Sequence, residues 1–212
     1  MIVRVLTAEN PLASMILAKL RDRNTGLRDF RYYMKLAGII LGVEVARFLE
    51  WSEVQVETPL GEKARELELK NQPLVISILG AAIPLLEGFL EVYPEAPVGL
   101  VAARRVEEGE QLEIEVKYSR MPPKWEGASV VLDPMLATGM TISRAVEEAK
   151  SIGSSRVIVA TVIAATDGLK KLAQEHPDST VVTLAIDPRL DDKFFIRPGL
   201  GDAGDRGLGV RP

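Results

Sequence analysis

From residue 74 to residue 187 the chain alternates short apolar runs with amphipathic segments, and this rhythm restricts the fold more than any other feature. Residues 74–79 form a continuous apolar run, and 98–103, 129–132, 157–162 and 180–186 are further strand candidates rich in Val, Ile, Leu and Ala. Strands written without polar alternation are covered on both faces, as parallel strands are. Residues 81–93, 141–150 and 168–175 read as helices between them, and 112–118 as a more polar strand. Strand and helix in repeated alternation call for an α/β fold, a mostly parallel central sheet flanked by helices. Ligands of such sheets sit beyond the carboxyl ends of the strands, so the loops after strands are where chemistry belongs.

Ahead of this core, Asn10-Pro11 reads as a helix start, an N-cap followed by Pro at the first helical position. Leu12, Met15, Ile16, Leu17 and Leu20 then supply an apolar face. A second helix is expected over 28–50, with Gly38 and Gly42 as points of close helix approach. Residues 53–58 and 62–69 suit two strands about the turn Thr58-Pro59-Leu60-Gly61. The expected organisation is a single domain over 1–212: N-terminal helices over 1–52, a small β-hairpin hood over 53–70, the α/β core over 71–187 and a tail over 188–212. Phe30, Tyr32, Tyr33 and Trp51 suit core packing and a subunit interface equally.

Composition narrows the function. The net charge of −4 disfavours a nucleic-acid binder, which neutralises phosphates with a basic surface. A small anionic ligand needs only a few Arg side chains and backbone N–H groups. No run of eighteen apolar residues is present, so no membrane span is expected. Residues 1–6 are too short for a signal peptide, and a cytoplasmic location fits. Without cysteine, thiolate chemistry is excluded. The single His176 precedes Pro177 at an expected helix end, where it caps the helix or faces water.

The strongest local signal follows the strand at 129–132. Asp133 ends that strand, the turn Pro134-Met135-Leu136-Ala137-Thr138-Gly139-Met140 follows, and a helix begins at Thr141. Small residues let the backbone approach a ligand, and N–H groups at a helix start form an anion site. The hydroxyls of Thr138, Thr141 and Ser143 add donors, and Asp133 suits ribose hydroxyls. Such a loop holds a phosphate monoester. A purely local role, Asp133 capping the turn and Thr141 the helix, explains the same residues equally well. The second signal is the tail Ile196-Arg197-Pro198-Gly199-Leu200-Gly201-Asp202-Ala203-Gly204-Asp205-Arg206-Gly207-Leu208-Gly209. Five glycines in eleven residues are incompatible with a stable helix or strand. A backbone so bare of side chains can wrap a flat base and read its edge with N–H and C=O groups.

Asp133 to Gly139 resembles the ribose-phosphate motif of uracil phosphoribosyltransferases, and Pro198 to Arg206 resembles the uracil-binding tail of that family. Weaker similarity covers nearly the whole chain. The resemblance implies the type I phosphoribosyltransferase fold and a donor, 5-phosphoribosyl 1-diphosphate (PRPP), bound by Gly80, Arg105, Asp202 and the stretch Asp133, Pro134, Met135, Leu136, Ala137, Thr138, Gly139, Met140 and Thr141. It implies uracil bound by Ile196, Gly201, Asp202 and Ala203, and catalytic roles for Asp133, Asp202 and Arg105. Arg104 would be a second pyrophosphate contact or a solvated neighbour. It implies Mg²⁺ carried mainly on PRPP with no dedicated protein metal site, homodimers or homotetramers, and in some members activation by GTP at residues that cannot be placed on this chain.

Two departures stand out. Gly80 occupies a position where the family has Arg against the leaving pyrophosphate, and Gly139-Met140-Thr141 replaces Gly-Gly-Ser. The departure at Gly80 keeps a second reading open, a nucleotide- or PRPP-sensing regulator with weakened catalysis. A transferase for a purine base or orotate is disfavoured, because those relatives carry two adjacent acids before the loop and lack the Gly-rich tail.

Overall fold

The computed structural model describes residues 1–108 and 111–210, with side chains described outside 104–108 and 111–115. The core is an eight-stranded sheet. Its strands are β1 (Ile2–Val5), β4 (Leu74–Ile78), β5 (Val98–Glu108), β6 (Gln111–Arg120), β7 (Ala128–Leu132), β8 (Met135–Leu136), β9 (Arg156–Ala165) and β10 (Thr180–Asp187). They run in the order β1-β10-β9-β7-β4-β5-β6, with β8 added on β9. All pairings are parallel except β5 with β6. The expected mostly parallel sheet is therefore what the chain builds. Every residue of β4 is buried, and all of β9 after Arg156, as continuous apolar strands require.

The helices are α1 (Pro11–Arg21), α2 (Leu27–Val45), α3 (Ile83–Val92), α4 (Met140–Ser151), α5 (Thr166–Glu175) and α6 (Ala203–Leu208). Asn10 caps α1 as expected, its side chain accepting from the N–H groups of Leu12 and Ala13. On one face of the sheet α1, α2 and α3 enclose Ile16, Leu20, Phe30, Met34, Leu41, Leu85 and Phe89 against Val75, Val130, Ile158 and Val182. On the other face Ile142, Val146 and Leu172 of α4 and α5 cover Ile76, Val131 and Val159. Helices α2 and α3 touch backbone to backbone. A Cβ on Gly38 would lie 2.1 Å from the Leu85 carbonyl oxygen, and one on Gly88 1.8 Å from that of Lys35.

Three expectations need correction. The second helix does not run to residue 50. It stops at Val45, a 3₁₀ turn occupies Ala46–Phe48, and a strand begins at Trp51. The freed carbonyls find tertiary partners, since the Trp51 indole donates to Ala46 and Arg156 to Phe48. Residues 2–5 are not part of a helical N-terminal segment but form an edge strand on β10. The glycine-rich tail contains a short helix, α6, despite its composition. Asp202 caps it by accepting from the Asp205 N–H at 2.9 Å, and Arg31 of α2 donates to the Gly207 and Leu208 carbonyls at its end. These contacts offset the poor intrinsic propensity of glycine.

Strands β2 (Trp51–Glu57) and β3 (Lys63–Leu69) form a separate antiparallel hairpin, and β11 (Arg189–Leu190) pairs with β12 (Ile196–Arg197) just before the tail. No helix is long and apolar enough to cross a membrane among the described residues.

Candidate active site

A cleft of about 390 Å³ opens at the carboxyl ends of β4 and β7, beside Ala103 of β5. Its floor is the turn from β7 to α4, contributing Asp133, Met135, Ala137, Thr138, Gly139 and Thr141. One wall is the turn after β4, with Leu79, Gly80 and Ala81, and the other is the tail, with Ile196, Asp202, Gly204 and Leu208. The loop 133–141 and the glycine-rich tail therefore share one cavity, although they lie about sixty residues apart in sequence.

The floor is built for close backbone approach. Gly139 has φ of 82°, in the left-handed region, and a Cβ there would come within 3.0 Å of the Gly168 carbonyl. Side chains other than hydrogen are strained at this position. Helix α4 starts immediately after it, and the first-turn N–H groups have no helical carbonyl to pair with. The Asp133 carboxylate accepts from the Met135 N–H at 3.1 Å, and Thr138 Oγ1 from the Met140 N–H at 3.4 Å. Both side chains thus shape the turn and also border the cleft, but Thr141 does not cap α4, whose N-cap is Gly139 with no side-chain hydrogen bond. Helix α5 backs the loop from outside, because a Cβ on Gly168 would lie 2.4 Å from the Ala137 carbonyl oxygen.

Not every residue singled out from sequence borders the cavity. Leu136 is fully buried in the core behind the loop, and the Pro134 carbonyl accepts from the N–H groups of Val162 and Ile163 on β9. Met140 and Gly201 stand beside the cleft without lining it, and Ala203 is buried. The strand β5 carries Arg104 and Arg105, whose side chains lie outside the described residues.

Ser143 is corrected. Its hydroxyl does not face the loop but donates to Glu175 Oε2 at 2.6 Å and lies 2.8 Å from His176 Nε2. His176 does end α5, its N–H bonded to the Leu172 carbonyl, but its ring is buried instead of facing water. Burial holds the imidazole below its ordinary pKa, with the charge of Lys150 acting in the same direction.

Sequence reasoning missed Lys193, Phe194 and Phe195, which border the tail side of the cleft. They lie in the loop from β11 to β12, where the Asp191 carboxylate accepts from the Lys193 and Phe195 N–H groups at 2.9 Å and pairs with Arg197. The signal available was Asp191 followed by an apolar pair, an Asx turn next to the tail.

The family model for uracil phosphoribosyltransferase matches residues 6–209. The chain belongs to the uracil phosphoribosyltransferase family. A uracil phosphoribosyltransferase of Aeropyrum pernix is 51% identical over 210 residues, covering 99% of this chain and 98% of that protein. One from Pyrobaculum islandicum is 46% identical, covering 92% of this chain and 93% of that protein. A solved structure of a protein from Aquifex aeolicus is 34% identical with a TM-score of 0.88, covering 99% of both chains.

Members of a phosphoribosyltransferase family act on a donor that carries phosphates, and phosphate oxygens attract divalent cations. Among the described residues no group of three His, Cys, Asp or Glu comes together that would hold such an ion. The two carboxylates at the cleft, Asp133 and Asp202, are hard oxygen donors and fit a magnesium ion whose remaining ligands are phosphate oxygens and water.

Proposed function

We propose that the chain transfers the phosphoribosyl group of PRPP to N1 of uracil, yielding UMP and pyrophosphate. The observation that carries this is one cleft bordered by both the loop 133–141, which suits an anion, and a bare, glycine-rich backbone. One segment suits a 5′-phosphate and the other a planar base, and transfer requires both in one cavity. The names of relatives up to 51% identical support the same reaction. They leave the regulatory alternative without support.

The bond from C1′ to the pyrophosphate oxygen breaks, the bond from uracil N1 to C1′ forms on the opposite face, and the N1 proton passes to water or to the departing pyrophosphate. Backbone N–H groups from Ala137 to Thr141 hold the 5′-phosphate, and Asp133 accepts from the ribose hydroxyls. Negative carboxylates of Asp133 and Asp202 favour the positive charge that develops at C1′ and the ring oxygen. Arg105 stabilises the leaving pyrophosphate. Main-chain groups at Ile196 and from Gly201 to Ala203 bind the uracil edge. Magnesium carried with PRPP, held by Asp202 or Asp133 on the protein side, would supply charge neutralisation at the pyrophosphate.

We place the enzyme in the cytoplasm, where a cysteine-free chain with phosphorylated substrates is at home. Assembly into a homodimer or homotetramer is supported by the β2–β3 hairpin. It stands apart from the main sheet with Trp51, Val56, Leu60 and Leu67 exposed, and a lone two-stranded hairpin is marginal until something covers it. Activation by GTP, which the family resemblance implies for some members, is tested by initial rates with and without added GTP. The decisive assay is UMP formation from uracil and PRPP with magnesium. Purified protein that forms no UMP, or that prefers hypoxanthine or orotate, overturns the proposal.

A further inference from the structure

If uracil is read by main-chain groups, its recognition depends on how those peptides are oriented, and two arginines hold the peptides just ahead of them. Arg21 is the last residue of α1. Its Nη1 donates to Asp187 Oδ2 and to the Gly199 carbonyl, both at 2.8 Å, and its Nη2 to Asp187 Oδ1 at 2.6 Å. The Gly199 N–H donates to the same Asp187 Oδ2 at 2.9 Å. One ion pair, with its carboxylate buried, thus satisfies both polar backbone groups of residue 199. Gly199 has φ of 66°, and a Cβ there would lie 2.1 Å from the Ile196 carbonyl oxygen, so the position is specified twice over.

Arg206 holds the next peptide. Its Nη1 donates to the Leu200 carbonyl at 2.7 Å and to the Leu20 carbonyl of α1, and its Nη2 to the Asp22 carbonyl at 2.7 Å. Its guanidinium lies over the Phe30 ring, 4.3 Å from the centroid. A fork that bonds three carbonyls fixes a peptide plane in a way that a lysine point charge does not. Both clasps end on α1 and grip residues 199 and 200. The segment 201–203 begins at the next residue, and from it Asp202 borders the cleft.

We propose that Arg21 and Arg206 are positioning residues for base recognition, and that α1 is the template against which the uracil-reading main chain is aligned. Main-chain groups have no rotamers with which to adjust, so a tilt of the peptide is passed directly to the hydrogen bonds it makes with a base. This rests on the function proposed above. Neither residue touches substrate; each acts through the tail.

The test compares wild type with Arg21→Lys and Arg206→Lys, both of which keep the charge. Steady-state kinetics give KM for uracil and for PRPP, and calorimetry gives affinities for UMP and for ribose 5-phosphate. UMP presents a base to the main chain of the tail, whereas ribose 5-phosphate has none for it to read. Loss of a charge-assisted hydrogen bond predicts uracil KM raised and UMP affinity weakened by about tenfold, with PRPP KM and ribose 5-phosphate affinity within about twofold of wild type. Unchanged UMP affinity and uracil KM in both variants overturn the proposal, as does weakening of UMP and ribose 5-phosphate in equal measure, which marks general damage. Wild-type protein that forms no UMP overturns the function instead, so the two failures are separable.

Discussion

Asp202 carries two jobs that a substitution can separate. Its side chain caps α6 through the Asp205 N–H, and its charge faces the cleft. Alanine would remove both, with a capping loss of about 1 kcal/mol. Asparagine caps equally well but carries no charge. Asp202→Asn is therefore expected to leave the thermal midpoint near wild type and to lower kcat by about tenfold to a hundredfold, the range for losing one electrostatic contact to a developing charge. Wild-type turnover in that variant would remove Asp202 from the mechanism. At Gly80 the steric question can be answered directly. An added Cβ would meet only the Cδ1 of Leu208, at 3.2 Å, and that side chain is 41% exposed and free to shift. Gly80→Arg should therefore fold, and a new charge-assisted contact to pyrophosphate should lower PRPP KM by about tenfold. An unmoved PRPP KM would show that position 80 does not face the donor.

Helix α5 packs on the loop 133–141 at its first turn and on α4 at its last. Its first turn presents Gly168 to the carbonyls of Leu136 and Ala137, and its last residues hold Ser143 of α4 through Glu175 and His176. Gly168→Ala introduces a methyl group 2.4 Å from a backbone oxygen, and backbone must move. Leu172 of α5 and Leu136 of the loop are both anchored in the core, so the loop shares the displacement. PRPP KM should rise by about tenfold or more while uracil affinity measured with the free base changes little, since a misplacement of about 1 Å is costly at a reacting site. Equal effects on both substrates would place the displacement elsewhere. The hydrogen-bond direction in this cluster is also determined. Ser143 donates to Glu175, so His176 Nε2 must donate to Ser143, which sets its tautomer.

At the scale of the molecule that cluster gives stability a pH dependence. His176 is the single histidine, and burial lowers its folded pKa below the ordinary 6.5. Between that lowered value and 6.5 the unfolded chain binds more protons than the folded one. Stability from this group is complete above 6.5 and is lost as pH falls through the window down to the folded value. Thermal midpoints measured from pH 7.5 to 5 should fall, and His176→Gln should flatten the slope. A parallel slope in the variant would assign the effect to carboxylates such as Glu175, held low by Lys171 and Ser143, or Asp178, held low by Lys150.

The alternation after residue 74 determined the parallel sheet, because a strand buried on both faces must be apolar throughout and is readable as such. The loop at 133–141 and the tail were legible for the same local reason: small residues and a helix start mark backbone that approaches a ligand. What only the tertiary structure decided are the features whose partners lie far along the chain. Residues 2–5 become a strand because β10 offers an open edge, and the glycine-rich tail gains α6 because Arg31 of α2 satisfies the Gly207 and Leu208 carbonyls at its end. Ser143 turned from the loop to His176, and Lys193 came to the cleft, through packing that spacing along one segment does not encode. Local pattern specifies which backbone can form a site; long-range burial of polar groups specifies which side chains face it.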